Sequence, residues 1–508
     1  MKRIDPAIVL LLFIASFGLY IRTVAPSLLS GDSAEFQTIA TTLGIGHPTG
    51  YPVYILLARL FTLLPTGELA ASVNLFSAFS AALTVALVYL ILRKLGAWRI
   101  PAIFGSLVLA LTPLFWKQAS IAEVYATSAV CLAFLLFVVL QWRETGDSRW
   151  LFLAGVLGGL SLGIHTAVAL SAPAVLLYMI LTARRRIDWV HAALGALTGA
   201  LIFFTAFIFL DWKNSPAGYY NAVVRPSLSV WNMTPLDFDS PFERLAFLYF
   251  PPQFRGQFFG VAPIDALQRL ENFTASISWK LILALPGLIV LLIPRRKTPV
   301  RWREAVLLSA ALIGFLAFAA TYNVDDFHVY LIPAALILAV FMGLGVNAIF
   351  DMAKLIPKIP GYVPAVLGML IIVIGLVPNA HGVISAVEDR MPPGLEDWET
   401  SAYNFPHARL LEAEHIVDGL EDNAIVFTDW DRVYDYYYVA HVLRGRTAMD
   451  FHETFPQEGV TRLADSAVAY IEANIDSRPI YFSERPTQLA NNYRVLRTGF
   501  GLYHLIKK

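Results

Sequence analysis

The stretch from Gly31 to Pro52, GDSAEFQTIATTLGIGHPTGYP, follows the first apolar run of a 508-residue chain and sets the reading of what comes after it. It holds two acids, a histidine, two prolines and three more glycines at the edge of a membrane-length segment, where an ionisable side chain is costly unless it has a partner or a task. If a helix begins here, Asp32 and Glu35, three residues apart, share one of its faces. One carboxylate can then accept a proton while the other holds a metal or a sugar hydroxyl. The same spacing is also a capping box, with Asp32 at the N-cap and Glu35 reaching back to free amides. His47-Pro48-Thr49-Gly50-Tyr51-Pro52 cannot be regular helix, because its prolines and the residues before them break the hydrogen-bond ladder. Such a turn either aims His47 into a cleft or simply ends one helix and starts the next.

Composition bounds the fold class. At 57% hydrophobic and 15% charged residues, with a mean hydropathy of +0.60, the chain is a polytopic α-helical membrane protein. The formal net charge of zero gives no sign of a nucleic-acid partner. The single cysteine, Cys131, lies in an apolar run, so an internal disulfide and a cysteine metal site are both excluded.

Apolar runs of near-membrane length predict about eleven spans, at 6–25, 69–93, 99–116, 119–140, 150–164, 166–183, 190–210, 279–294, 304–321, 328–350 and 361–378. With these spans the basic clusters Lys2-Arg3, Arg93-Lys94 with Arg99, Arg143 with Arg149, Arg184 to Arg186, Arg295 to Lys297 with Arg301 and Arg303, and Lys354 with Lys358 share one face. That face is expected to be cytoplasmic, with the N-terminus on it and the C-terminus on the other side. Residues 36–64, broken by Gly and Pro, read as interfacial or re-entrant helices. The expected domains are a membrane part, 1–378, with outer loops 26–68 and 211–278, and a small α/β extramembrane domain, 379–508. In the latter, Ala424 to Thr428 and Pro479 to Ser483 read as strands, while Ala408 to Leu420 and Val460 to Asn474 read as helices.

This topology gathers ionisable groups on the outer face. Asp32, Glu35, His47, Lys117, Glu123, His165, Asp211, Asp325, Asp326 and His328 all fall at outer ends of spans or in outer loops. Each has an ordinary alternative: Glu123 as a helix N-terminal acid, Lys117 as a snorkelling base, His165 as a core histidine, and Asp325 and Asp326 as loop or N-cap residues. Together they outline a polar pocket at the lipid boundary, suited to a substrate with a lipid tail in the bilayer and a polar head outside it.

Gly31-Asp32-Ser-Ala-Glu35 with Gly46-His47-Pro-Thr-Gly-Tyr51-Pro52, Gln118-Ala-Ser-Ile-Ala-Glu123-Val-Tyr125, Leu162-Gly-Ile-His165 and Tyr322-Asn-Val-Asp325-Asp-Phe-His328-Val-Tyr330 together resemble a known family. It is a transmembrane family, long labelled a domain of unknown function, that includes an animal endoplasmic-reticulum protein O-mannosyltransferase. It belongs to the GT-C superfamily of polyprenyl-phosphate-sugar-dependent glycosyltransferases. The resemblance covers about residues 6–350. It implies a GT-C-like fold and inverting transfer of a sugar, mannose among the candidates, from a polyprenyl-phosphate donor to a hydroxyl of a protein, glycan or lipid acceptor on the non-cytoplasmic face. It makes Asp32 the expected general base with Glu35 beside it, and His47, Tyr51, Lys117, Glu123, Tyr125, His165, Asp325 and His328 the candidate substrate-binding set. Two departures stand out: the better-known protein O-mannosyltransferases have adjacent Asp-Glu in this loop, and Thr49 replaces the second proline of a His-Pro-Pro-Gly turn.

The departing phosphate needs cations or a metal to take its charge, and Lys117, Arg22 and Arg59 lie near the outer boundary. A divalent metal is compatible with the acids and histidines, but no ligand spacing demands one. The expected location is the inner or plasma membrane of a prokaryote or the endoplasmic reticulum of a eukaryote. The alternatives are a transporter or flippase of lipid-linked substrates, since polar residues in a bundle also mark pathways, and a non-catalytic glycan or lipid receptor. The run Tyr434 to Tyr438 suits either stacking on a sugar or packing of a helix core.

Overall fold

A long apolar run with an acid at one end and a base at the other makes the first helix. α1 (Ile4–Arg22) carries Asp5 in its first turn and Arg22 in its last, complementing the helix dipole. The computed structural model describes residues 4–294, 300–353, 363–376, 380–457 and 459–508. α2 (Gly31–Thr42) ends on Leu43 in the left-handed region, and α3 (Pro52–Phe61) starts with proline at its first position, where the missing N–H costs nothing. The chain continues through α4 (Leu69–Lys94), α5 (Arg99–Ala110), α6 (Pro113–Ala119), α7 (Val124–Thr145), α8 (Arg149–Ser161), α9 (Ala172–Thr182) and α10 (Arg186–Lys213). Beyond these come α11 (Pro241–Tyr249), α12 (Pro263–Ile277), α13 (Ala284–Leu292), α14 (Trp302–Thr321), α15 (Ile332–Ala353), α16 (Val363–Leu376) and α17 (Ala380–Asp389).

Among the described residues, seven helical stretches are long and apolar enough to cross a membrane, or nine if two bent pairs are each counted as one span. The span expected over 99–116 is one such pair: α5 and α6 meet at 68°, because Pro113 cannot continue the ladder. The two short spans expected over 150–183 are α8, of 13 residues, and a 3-10 turn, Thr166–Ser171, running into α9. The expected loop 211–278 ends early, since helix resumes at Pro263 and runs on as one apolar stretch to Leu292. The span expected over 361–378 lies partly outside the described residues, as do Lys2-Arg3, Arg295 to Lys297, Lys354 and Lys358. Helix α2, read as interfacial, is instead buried from Ser33 to Ala40, roofed by the C-terminal part of the chain.

The centre of the bundle is α15, buried on every side from Ile332 to Ala348, as a helix apolar all round must be. At the end away from α2, Asp5 accepts from Tyr89 (2.8 Å), Arg93 (3.2 Å) and Arg99 (3.1 Å), so this buried acid ties α1, α4 and α5 together.

After α18 (Asp397–Asn404) and α19 (Ala408–Asp418) comes a five-stranded sheet: β1 (Ile425–Thr428), β2 (Asp450–Glu453), β3 (Ile480–Phe482), β4 (Tyr493–Arg497) and β5 (Tyr503–Lys507). Its order is β2-β1-β3-β5-β4, with β1 parallel to β2 and β3 and the β3–β5 and β5–β4 pairs antiparallel. α20 (Trp430–Tyr437) connects β1 to β2, and α21 (Asp465–Asn474) connects β2 to β3. The sheet is not a separate body hung on the bundle. Thr38 Oγ1 donates to the Tyr434 carbonyl (3.1 Å), the Ala70 amide donates to Tyr438 Oη (3.0 Å), and Phe36, Tyr54, Tyr434, Tyr436, Tyr437 and Tyr438 share one core.

Backbone-to-backbone contact joins α8 to α10. A Cβ on Gly195 would stand 2.0 Å from the Phe152 carbonyl oxygen, and one on Gly159 would stand 2.5 Å from the Ala200 nitrogen. Small residues four apart on both helices permit this approach, which replaces the hydrophobic drive that lipid does not supply. Gly195→Val should therefore cost about 1–3 kcal/mol or more through overpacking. Gly158→Val, on the partner helix α8 but facing open space, should leave the melting temperature in nanodiscs near wild type. Equal losses from the two variants would contradict this interface.

Candidate active site

The site grows from the first turn of α2. Its N-cap is Ser30, and no side chain caps it, so Asp32 and Glu35 do not form the capping box that their spacing allows. They point one way and do different things. Glu35 is fully buried, 0% exposed, and a carboxylate there must find donors. It finds three: the His47 amide (2.8 Å) and Tyr434 Oη (2.9 Å) on Oε1, and His47 Nδ1 (2.5 Å) on Oε2. Asp32 is 41% exposed, accepts a hydrogen bond from Trp430 Nε1 (3.0 Å) on Oδ1, and holds Oδ2 3.7 Å from His47 Nε2.

His47 sits between the two acids. Its Nδ1 donates to Glu35 and its Nε2 to Tyr51 Oη (3.0 Å), because that hydroxyl spends its own proton on the Pro48 carbonyl (2.9 Å). Both ring nitrogens thus carry protons. Burial works against that charge, but the Glu35 and Asp32 carboxylates outweigh it and push His47 up to about 10. Burial acts on Glu35 as well, raising its carboxyl against the attraction of His47. The prolines of the turn therefore aim His47 at a carboxylate pair.

Asp32 and His47 open onto a cavity of about 1010 Å³. Of the candidate catalytic and substrate-binding residues read from the sequence, it brings together Asp32, His47, Tyr51, Tyr125 and His165. The Tyr51 and His165 rings stack at 6.2 Å, and His165 Nδ1 accepts from the Ala167 amide (3.3 Å), which leaves its proton on Nε2. Asp326 lines the cavity and accepts from Tyr125 Oη (3.0 Å), whereas Asp325 is exposed outside it. Lys117 is paired with Glu399 and does not reach the cavity, and neither does His328. Glu123 stands behind the site at the N-cap of α7, accepting from Ser33 Oγ (3.3 Å). Arg22 and Arg59 are occupied by the carbonyls of Val387 and Thr41. Besides His47, the one cation among the described lining residues is Arg255. Among the described residues, no group of three or more His, Cys, Asp or Glu side chains is placed to hold a metal ion.

Trp430 carries no signal in the sequence, and Tyr434 is legible there only as part of the tyrosine run. Within the tyrosine run, Tyr436, Tyr437 and Tyr438 are core residues, as one of the two readings held, while Tyr434 turns its hydroxyl to Glu35. Trp430 and Tyr434 lie four apart on α20, so one helix face meets both acids of α2. That four-residue spacing is the only local signal, and nothing local names the partner helix.

The charged state of His47 has a consequence for pH. A histidine raised from 6.5 to about 10 adds stability that is complete below its unfolded value and is lost as pH rises through the folded one. The melting-temperature advantage of wild type over His47→Gln should shrink between pH 7 and pH 10. A pH-independent difference would contradict the doubly protonated ring.

Residues 32–189 match the family model described as the protein O-mannosyl-transferase TMEM260 N-terminal domain. Protein O-mannosyl-transferase TMEM260 of Mus musculus is 30% identical over 152 residues, 29% of this chain and 22% of that protein. The Dictyostelium discoideum protein of the same name is 25% identical over 141 residues, 27% of this chain and 17% of that protein. The matched segments are thus about a fifth of the length of these relatives. Among solved structures, ArnT from Cupriavidus metallidurans bound to undecaprenyl phosphate superposes with a TM-score of 0.58 at 13% identity, covering 98% of each chain. The Archaeoglobus fulgidus oligosaccharyltransferase superposes with a TM-score of 0.54 at 13% identity, covering 100% of this chain and 74% of its own. The chain is an integral membrane protein with the fold of the GT-C glycosyltransferases, and its residues 32–189 are similar to the TMEM260 protein O-mannosyl-transferase N-terminal domain.

Proposed function

We propose that this protein is an inverting glycosyltransferase that moves a sugar, mannose by analogy with the relatives' names, from a polyprenyl-phosphate donor to a hydroxyl of a protein acceptor. The observation that carries the reading is Asp32: a carboxylate held by Trp430 and flanked by His47, opening onto a cavity lined elsewhere by Leu170, Phe258, Phe318 and Tyr322. The segment that matches the family begins at Asp32, and the ArnT of the same fold was solved with undecaprenyl phosphate bound.

In this reading Asp32 takes the proton of the acceptor hydroxyl as that oxygen attacks the anomeric carbon from the face opposite the phosphate. The bond from the anomeric carbon to the phosphate oxygen breaks, and the polyprenyl phosphate leaves with the electron pair, its charge met by Arg255. Glu35 is a positioning residue. It fixes His47, which stands 3.7 Å from Asp32 and holds that carboxylate near the turn.

The site is assigned to the non-cytoplasmic side. Supporting this, the cavity gathers the chain before α3, α7, α9 and α15, while Arg93, Arg99, Arg143 and Arg185 cluster at the opposite helix ends. Eleven passes, with α8 and α9 as a short pair, reconcile that alternation with a C-terminal sheet on the site's side. Residues 1–378 are the transferase core in this account, and 379–508 the part that closes it.

With a panel of polyprenyl-phosphate sugars and protein in nanodiscs, Asp32→Asn should lose transfer by about 10²–10⁴-fold while staying folded. Arg255→Ala should weaken use of the donor, and Glu35→Gln should lower both activity and melting temperature. Wild-type transfer by Asp32→Asn would reject this base.

A further inference from the structure

The carboxyl ends of the three parallel strands point into the same region as the cavity. β2 lies on one side of β1 and β3 on the other, so the connections leaving β1 and β3 part there. In open sheets with parallel strands, such a switch point is where ligands bind. The residues that follow or end these strands, Asp429, Glu453 and Ser483, line a crevice of about 150 Å³ together with Thr487 and Gln488. Its inner wall is Trp430, which also lines the large cavity and donates to Asp32, and Glu453 likewise belongs to both linings.

Glu453 is the unexplained group at this junction. Its surroundings give it no hydrogen bond among the described residues; withdrawal from water, and then the charges of Asp429, Glu35 and Asp32, raise its carboxyl to about 8. A neutral carboxyl facing two connected spaces can both donate and accept, and this half-buried group, with no hydrogen bond to the described residues, is open to a ligand in either space.

We propose that the crevice at the carboxyl ends of β1, β2 and β3 is the acceptor subsite: it holds one side chain of a polypeptide while a neighbouring hydroxyl of that polypeptide passes Trp430 to Asp32. The inference rests on the glycosyl-transfer reading and specifies its acceptor side. The size argues for a single side chain, since a cavity of this volume holds a molecule about as large as benzene. The lining argues for a side chain that carries N–H or O–H donors on an apolar stem, because carboxyls, hydroxyls and an amide meet it beside Phe455, Leu463 and Phe482, with Arg485 at the rim as the one lysine or arginine. The location argues for a water-borne acceptor: the crevice is built from the sheet, while Phe318 and Tyr322, on the apolar wall of the large cavity, come from the end of a membrane-length helix.

Full-length protein in nanodiscs, with a polyprenyl-phosphate sugar and peptides varied at the residues beside one Ser or Thr, tests this directly. Wild type should prefer donor-rich side chains at one fixed distance from the hydroxyl. Thr487→Trp and Ser483→Trp, which fill the crevice, should raise the peptide KM about tenfold or more and flatten that preference. Thr487 is exposed, so the ring there leaves the fold intact. Should either variant unfold, a photoreactive peptide on wild type should label 453–457 or 483–488, and labelling elsewhere would overturn the subsite. Unchanged peptide KM and selectivity in the folded variants, or transfer only to a glycolipid, would overturn it too. Failure of wild type to release sugar from any donor would instead reject the glycosyl-transfer reading beneath it.

Discussion

A carboxylate with no access to water must be surrounded by donors, and Glu35 is where this chain meets that requirement. The three donors come from two places, the turn after α2 and the helix after β1, so satisfying one acid joins segments 399 residues apart in sequence. The rest of the site follows. His47 becomes charged because it faces Glu35, and its charge stands beside Asp32. Trp430, one turn before Tyr434 on the same face, then reaches Asp32 from the other side. Removing either half of this arrangement would leave a buried charge unpaired, which is far more costly than the bond itself.

The membrane part serves the same arrangement from below. Helices that lipid does not drive together pack by close approach, as α8 and α10 do through their glycines, and this rigid pairing carries His165 to the cavity between α8 and α9. Proline at 113 bends the third apolar segment before it reaches the site. The buried Asp5 cluster locks the opposite end. A polar, partly open site thus rests on a closely packed base.

What the sequence made legible was local. Asp32, Glu35 and His47 lie within sixteen residues, and their spacing on a helix and a proline turn is enough to say that they converge. The strands β1 and β3 are short apolar runs and read as such, while β4, Tyr-Arg-Val-Leu-Arg, sits at an edge with three exposed residues and carries no such signal. Long-range pairing was not legible. Topology assigned Lys117, Asp325 and His328 to the same end of the molecule as Asp32, but an end is wider than a cavity: Lys117 is taken by Glu399, and of two adjacent aspartates the one at the N-cap of the next turn faces inward. Trp430, Tyr434 and Arg255 lie in segments whose relation to α2 is set only by the folded chain.

The central claim is that donor chemistry occurs at Asp32, on the wall built jointly by α2 and α20. An experimental structure of the protein in nanodiscs with a non-hydrolysable polyprenyl-phosphate sugar tests it most directly. The account predicts the anomeric carbon within reach of a hydroxyl bound to Asp32, roughly 3–3.5 Å from the attacking oxygen, with the phosphate against Arg255. A head group lodged at Lys117, Glu399 and His328, away from Asp32, would contradict it.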